Sequence, residues 1–424
     1  MVFQLSDVGT VNKERWFVLP LLVLALIEAT FNWFNIVGTF GYIGPLFDIG
    51  VAQFGLIVGV FLAGYGIFHL PVGVFANRYG FRRMLLLGFV VESFGSILSG
   101  LSPNYPFLIA MRILSGIGAS FVVGCGFGLV NVWFKNAEIN IANGFVGGVG
   151  FTVGAAIVLE YGANIAGAIG WRQYLILTGV IGLIIAAIVI SLLKNPSHES
   201  RLSGGKINRK DVIEVFGNRN LWLLGLSILG SYGAYFTTSE LISTYASSVL
   251  HFGPTLAATT GTVVLLIGIL GAICGGLLTD KFKRVKVVFG LLTLLTGLSF
   301  FLILFDPHIT VWIMGIIVGF ALIGAFAAFT SAPGILGSVS SHNLALAAGL
   351  LLVLAAIGGF IVPTIFGVLA STSYTTAWVF LGLVSLAFLV FLPFVEEPYS
   401  VKKRLMASKI SAQSFVRDGN EVEK

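Results

Sequence analysis

The sequence predicts an all-α membrane protein, with twelve transmembrane helices in two pseudo-symmetric six-helix bundles. Three observations predict it. The 424 residues are 57% hydrophobic and 10% charged. A soluble domain carries about 25% charged residues, so the solvent for most of this chain must be lipid. Apolar runs of roughly 20 residues, enough to cross a hydrocarbon core, recur twelve times. One long polar stretch, Lys194 to Asn220 with six Lys and Arg residues, divides them six and six. The 37 Phe and 54 Gly agree, since glycine is commoner in membrane helices, where backbones approach closely.

The first six runs fall near 16–40, 52–76, 84–101, 106–133, 140–161 and 173–193. The second six fall near 221–248, 255–279, 286–305, 309–331, 344–370 and 375–395. The chain therefore divides into a first bundle (1–193), a linker (194–220), a second bundle (221–396) and a tail (397–424). The N-terminal stretch is polar through Arg15 and reads as no removable signal peptide. Cys125 and Cys274 each lie inside an apolar run and read as small packing residues.

Basic residues set the orientation. With the N-terminus in the cytoplasm, that side receives Lys13, Arg15, Arg78, Arg82, Arg83, Lys135, the linker cluster, the Lys281–Lys286 cluster and the tail. The external loops hold Arg172 alone. Positive charge marks the cytoplasmic face, so the net charge of +6 is a topology signal and not a nucleic-acid footprint. Both termini are expected in the cytoplasm, and the expected location is the cell membrane.

The two halves repeat. Gly73 to Arg78 follows the second run and Gly276 to Lys281 follows the eighth. Met111 to Gly116 in the fourth run aligns, at the same offset, with Met314 to Gly319 in the tenth. Ala142, Gly144 and Gly154 match Ala347, Gly349 and Gly359, with two residues inserted. Parallel repeats of six helices place a solute site near the midplane, between the halves.

These features resemble the major facilitator superfamily over nearly the whole chain. Its signature G-x-x-x-D-R-x-G-R-R is read here as Gly73, Asn77, Arg78, Gly80, Arg82 and Arg83, with a degenerate copy through Gly276, Asp280 and Lys281. An Arg beginning R-x-x-x-G in the fourth helix is matched by Arg112 and Gly116. The resemblance implies secondary active transport by alternating access, with the signature loop as a conformational latch. Asn77 departs from the pattern because it supplies no charge, and Asp280 keeps the acid in the second half only. Gly73 and Gly276 are expected to permit close helix packing.

A charge in hydrocarbon costs at least about 2.5–3.5 kcal/mol, so each one inside a run needs a reason. Glu28 lies about 18 Å into the first run at 1.5 Å per residue, near the midplane. Asn32 and Asn35 follow one and two turns on, and this polar stripe is expected to face the central cavity. A carboxyl held in hydrocarbon resists charging, which makes Glu28 a candidate for binding and releasing a proton, or for binding a cation, with a structural partnership to another helix as the alternative. Arg112 keeps its charge in nearly any setting. It needs a carboxylate, a carbonyl cage or water, with Glu28 and Glu92 as candidate partners, or it could hold a substrate carboxylate. Glu240, preceded by Tyr232, Tyr235 and Phe236, is a candidate for the solute site or a gate. Glu92 and His69 read as structural and Glu160 as interfacial. The glycines at 144–154 and Gly358, Gly359 and Pro363 are candidates for gating motion, with static close packing as the alternative.

Apart from Lys286 at the very edge of the ninth run, the second half has no Lys or Arg within a span, and its spans hold almost no Asn or Gln. This disfavours a doubly clamped dicarboxylate and a sugar. Tyr232, Tyr235, Phe236, Phe320, Phe326 and Phe329, with nearby hydroxyls, suit a small, partly apolar solute carrying at most one or two charges. The linker segments Asn195 to Leu202 and Asn218 to Trp222 resemble branches that move organic anions. The expected function is proton-coupled transport of a small organic anion with Arg112 as its partner. The alternative is a proton-antiport exporter of amphipathic compounds, which the missing Gly-Pro pair in the fifth helix disfavours. The expected partners are a small solute, protons and membrane lipids, with a functional monomer and no nucleic acid, metal or cofactor. No H-E-x-x-H-type catalytic set is present, so an enzyme is not expected.

Overall fold

The computed structural model describes residues 6–134, 138, 142–194, 208–336, 339–340 and 343–401, apart from the side chains at 6–13, 77, 336 and 345. Span 1 is α1 (Ser6–Phe34), a 3₁₀ segment (Asn35–Thr39) and α2 (Phe40–Phe47). Spans 2 to 4 are α3 (Val51–Tyr79), α4 (Phe81–Gly100) and α5 (Tyr105–Trp133). Span 5 is a π-helical segment (Gly144–Gly150) continuing into α6 (Phe151–Ile169), and span 6 is α7 (Trp171–Leu192). A short α8 (Arg209–Phe216) lies in the linker. Spans 7 to 12 are α9 (Arg219–Ser248), α10 (Pro254–Phe282), α11 (Val285–Ser299), α12 (Pro307–Leu336), α13 (Leu344–Ala370) and α14 (Tyr374–Leu389). Among the described residues eleven helices are long and apolar enough to cross a membrane, and twelve when the α8–α9 pair, bent by 56°, is one span.

Three elements differ from the expected boundaries. Span 5 runs on to Ile169, past the polar Glu160 and Asn164, and ends at Gly170. Gly170 has φ +92, as Gly80 between α3 and α4 has φ +93. Only glycine adopts that backbone without strain, and each allows one helix to turn directly into the next. Span 1 breaks at Asn35 and continues to Phe47. The linker holds a helix because Asn208 caps it, accepting from the backbone N–H of Lys210 and Asp211, while Asp211 accepts from the N–H of Asn208. This reciprocal box satisfies donors that a helix start leaves free. Linker residues 195–207 and the tail after Val401 lie outside the described residues.

The halves meet along two lines, α3 against α13 and α6 against α10. Glycines make the first line close. A side chain at Gly55 would run into the Pro363 backbone, one at Gly59 into Phe360 and one at Gly66 into Ala356. The internal repeat is visible in the packing: Gly116 of span 4 abuts Phe61 of span 2, and its counterpart Gly319 of span 10 abuts Val264 of span 8. Between the halves, α9 is buried at every position from Ser227 to Ile242. A helix covered all round lies in the middle of an assembly, and α9 is therefore the wall of the second half at the seam. Its hydroxyls are spent on its own backbone: Ser231, Thr237, Thr238 and Ser239 each donate to a carbonyl three or four residues back. That is how a polar helix is buried without unmet donors.

Candidate functional site

The 3₁₀ break after Phe34 creates the site. A helix leaves its last carbonyls without intrahelical partners, and here those of Asn32 and Trp33 are met by Arg112 of α5. Its Nη1 donates to the Asn32 carbonyl at 3.3 Å and its Nη2 to the Trp33 carbonyl at 2.6 Å, with Asn35 Oδ1 at 3.5 Å. The guanidinium also sits 4.6 Å from the centre of the Phe61 ring. A cation at a helix C-terminus complements the helix dipole. Arg112 is fully buried, and among the described residues its Nε has no hydrogen-bond partner. Of the partners expected for Arg112, the carbonyl cage is the one observed. Neither Glu28 nor Glu92 forms a salt bridge with it among the described residues.

Trp33, held at its carbonyl by Arg112, is the hub of the seam. Its ring stacks on Phe236 of α9 at 5.1 Å and 9°, and lies 4.7 Å from Phe61, 5.2 Å from Tyr65 and 5.7 Å from Phe151. Its Nε1 donates to Glu240 Oε1 at 3.2 Å. Spans 1, 2, 5 and 7 thus converge on one indole, and the hydrogen bond crosses from half to half. A second crossing bond runs from Thr259 to Glu160 at 3.0 Å, so Glu160 also makes a contact between the halves. Sequence reasoning missed Trp33. The available signal was a large ring with an N–H needing a partner, set inside the polar stripe of span 1.

The stripe itself points elsewhere. Five residues separate Glu28 from Trp33, about 140° around a helix. Glu28 Oε1 accepts from Asn32 Nδ2 at 2.9 Å and from Ser93 Oγ at 3.2 Å, and a side chain at Gly182 of α7 would strike it. Asn35 donates to Ser96 at 2.8 Å and to Thr178 at 2.7 Å. Glu28, Asn32 and Asn35 therefore face spans 3 and 6 inside the first bundle. The expectation that they line the central cavity is corrected: the seam side of α1 is taken by the bulky Trp33.

Charge nonetheless connects the two sides. Arg112 is within electrostatic reach of Glu240 at the seam and of Glu92 behind it, and Glu92 is within reach of Glu28. All four are fully buried. The cluster holds three carboxyls and one guanidinium. Among the described residues, both oxygens of Glu92 and one each of Glu28 and Glu240 lack hydrogen-bond partners. Tyr232 joins Phe236 at 4.9 Å and Phe326 of α12 at 5.8 Å, and Tyr235 joins Phe236 at 5.3 Å, so the aromatic wall expected in the second half flanks this cluster. Phe326 extends it to Phe329 at 5.9 Å. His69 contacts Ser120 at 3.4 Å.

The signature loop lies at the end of the bundle that carries the linker. Arg82 Nη2 donates to the Ile190 carbonyl near the end of α7 at 2.6 Å. Arg78 lies over the Tyr79 ring at 5.2 Å, Arg83 is exposed, and Lys281 lies 5.9 Å from the Phe282 ring. The side chain of Asn77 lies outside the described residues. Asp280 accepts from the Tyr399 hydroxyl at 3.4 Å and pairs loosely with Lys283 at 4.0 Å, both groups well exposed. Gly73 and Gly276 do not serve close packing: among the described residues a Cβ at either would meet nothing within 4 Å. In place of a signature residue, Glu397 accepts from the N–H groups of Val285 and Lys286 and caps α11.

Known proteins share this architecture. A family profile described as the Major Facilitator Superfamily matches residues 22–333 and 250–418. The chain is 27% identical over 214 residues to a probable L-galactonate transporter of Escherichia coli (strain K12), a stretch covering 47% of each chain. It is 25% identical over 323 residues to a nitrite extrusion protein of Bacillus subtilis (strain 168), covering 74% of this chain and 76% of that one. It is 26% identical over 187 residues to a riboflavin transporter of Clostridioides difficile (strain 630), covering 43% and 40%. The first and third matches thus span less than half of the relative's length. A crystal structure of a bacterial homologue of the human lysosomal transporter Spinster, inward-facing and unoccupied, matches with a TM-score of 0.68 over 92% of this chain and 97% of that one. At 18% identity that likeness shows the fold alone.

Proposed function

The chain belongs to the Major Facilitator Superfamily, whose members move solutes across membranes, and from that premise we propose that it couples protons to the transport of a small organic anion. The observation that carries the reading is Arg112: a fully buried guanidinium held by backbone carbonyls, with carboxyls nearby but none in a salt bridge among the described residues. Its charge remains available to an anion. Glu240 and Glu92 share its field, and one guanidinium can offset one negative charge. An incoming carboxylate that takes Arg112 leaves the neighbouring carboxyls unbalanced in a medium where unpaired charge is costly, so a proton must accompany it. The competition of solute and carboxyl for one cation is the coupling.

Alternating access follows from the same contacts. Arg112 holds the Trp33 carbonyl, and the Trp33 indole holds Glu240 across the seam. Solute binding at Arg112 loosens the C-terminus of α1 and with it the plug formed by Trp33 and Phe236. The names of two relatives add support, since galactonate and nitrite are both anions. We place both termini and the linker on the cytoplasmic side of the cell membrane, a reading supported by the excess of Lys and Arg on that side.

The test is solute-driven proton flux in proteoliposomes with a trapped pH dye, using a panel of organic anions, galactonate included, beside amphipathic cations. We expect acidification with anions, abolished in Glu240→Gln while exchange of labelled anion continues. In Glu28→Gln, which faces the bundle interior, acidification is expected to persist at a lower rate. Acidification that survives intact in Glu240→Gln, or that appears with cations instead, overturns the reading.

A further inference from the structure

A groove of about 480 Å³ opens on the outside of the first bundle, where spans 2, 3 and 4 meet. Three residues from each helix line it, from Phe68 to Tyr79 on α3, Met84 to Val91 on α4 and Leu114 to Phe121 on α5. Tyr79 and Leu87 are more than 40% exposed, so the groove is open toward lipid. Its floor is aromatic, with Phe75 stacked on Phe121 at 6.2 Å and 11°. From Phe68 to Tyr79 it follows α3 for about 16 Å at 1.5 Å per residue. One leaflet of a roughly 30 Å hydrocarbon core has nearly that depth.

The end of the groove nearest the linker is basic. Arg78 precedes Tyr79 and lies over its ring, and Arg83 precedes Met84. Both arginines are exposed, and among the described residues neither takes part in a salt bridge. Arg82, between them, is already committed to the Ile190 carbonyl. An apolar channel one leaflet deep, whose lining residues Tyr79 and Met84 each directly follow an exposed arginine, matches a molecule with an acyl chain and a phosphate head. Guanidinium is suited to phosphate because it presents several donors in one plane.

We propose that this groove binds one anionic phospholipid of the leaflet on the linker side, its acyl chain along α3 and its phosphate on Arg78 and Arg83. The site is separate from the buried charge cluster and does not depend on the solute. It gives the signature arginines a ligand that Asn77, uncharged, does not compete for. It also places a lipid on α3, the helix that packs against α13 across the seam, so its occupancy bears on the element that must move.

The experiment uses the full chain in nanodiscs of equal phosphatidylglycerol and phosphatidylcholine, released and weighed intact by native mass spectrometry. One phosphatidylglycerol is expected to stay bound, and to be lost in the Arg78→Gln/Arg83→Gln double variant. Leu87→Trp, an exposed position that fills the groove and spares both arginines, is expected to lose it as well. Glycerol phosphate, a head without chains, should not displace it. Equal retention of both lipids, retention by either variant, or displacement by glycerol phosphate overturns the proposal, the last by showing an anion site rather than a lipid site.

Discussion

Replacing Arg112 by alanine is expected to reduce anion uptake to background, the largest effect of any single substitution in the chain. Two consequences combine. The anion loses its only guanidinium among the described buried residues of the spans, and the C-terminus of α1 loses the donors on the Asn32 and Trp33 carbonyls. Each charged hydrogen bond contributes about 1.5–3 kcal/mol, so stability falls too, and Arg112→Ala alone would not separate binding from folding. Arg112→Lys does. Lysine keeps the positive charge and can reach one carbonyl, but it lacks the planar fork that meets two at once while offering a third face. Thermal unfolding in detergent should recover most of the loss in Arg112→Lys, whereas uptake should not. Recovery of both would make Arg112 a helix cap and nothing more.

The second large effect is expected at Gly55. A side chain there meets the Pro363 backbone across the seam, and backbone cannot swing aside as a side chain can. Overpacking of this kind costs about 1–3 kcal/mol, and the cost falls on conformations in which α3 and α13 close at that level. Gly55→Val is therefore expected to retain anion binding while its uptake rate drops about tenfold, the change that some 1.4 kcal/mol on one state produces. Gly73→Val is the matched control. Among the described residues its Cβ would meet nothing within 4 Å, so it should transport normally although Gly73 opens the signature. Normal uptake in Gly55→Val would mean that this part of the seam does not close during the cycle.

The contrast between these glycines shows what could be read in the sequence. Length and hydropathy set the twelve spans because hydrocarbon imposes one length on every crossing helix. The offset between Met111 and Met314 revealed the repeat, and Gly116 and Gly319 occupy equivalent contacts in the fold. The identity of the buried groups was also legible: Glu28, Arg112 and Glu240 stand out because ionisable residues in hydrocarbon need partners. Their direction was not. A three-residue spacing places Asn32 and Asn35 on one helix face, yet nothing local distinguishes the face toward the seam from the face toward spans 3 and 6. The break at Asn35 was equally hidden, because 3₁₀ and α turns favour the same residues. Without that break Arg112 has no carbonyls to hold and Trp33 has no reason to stand out. The linker helix escaped for another reason. Its signal is the cap formed by Asn208 and Asp211, in a segment whose charge density masks an eight-residue helix.

The coupling itself is open to one direct measurement: the proton count that accompanies anion binding. Protein in detergent, lightly buffered with a pH indicator, is titrated with galactonate and with a panel of simple monocarboxylates. If anion and carboxyl compete for Arg112, each anion bound should draw a proton from solution, and the uptake should vanish in Glu240→Gln while binding remains. Saturable anion binding with no proton taken up by the wild type would contradict the account, and would leave Arg112 and Glu240 as neighbours without a shared function.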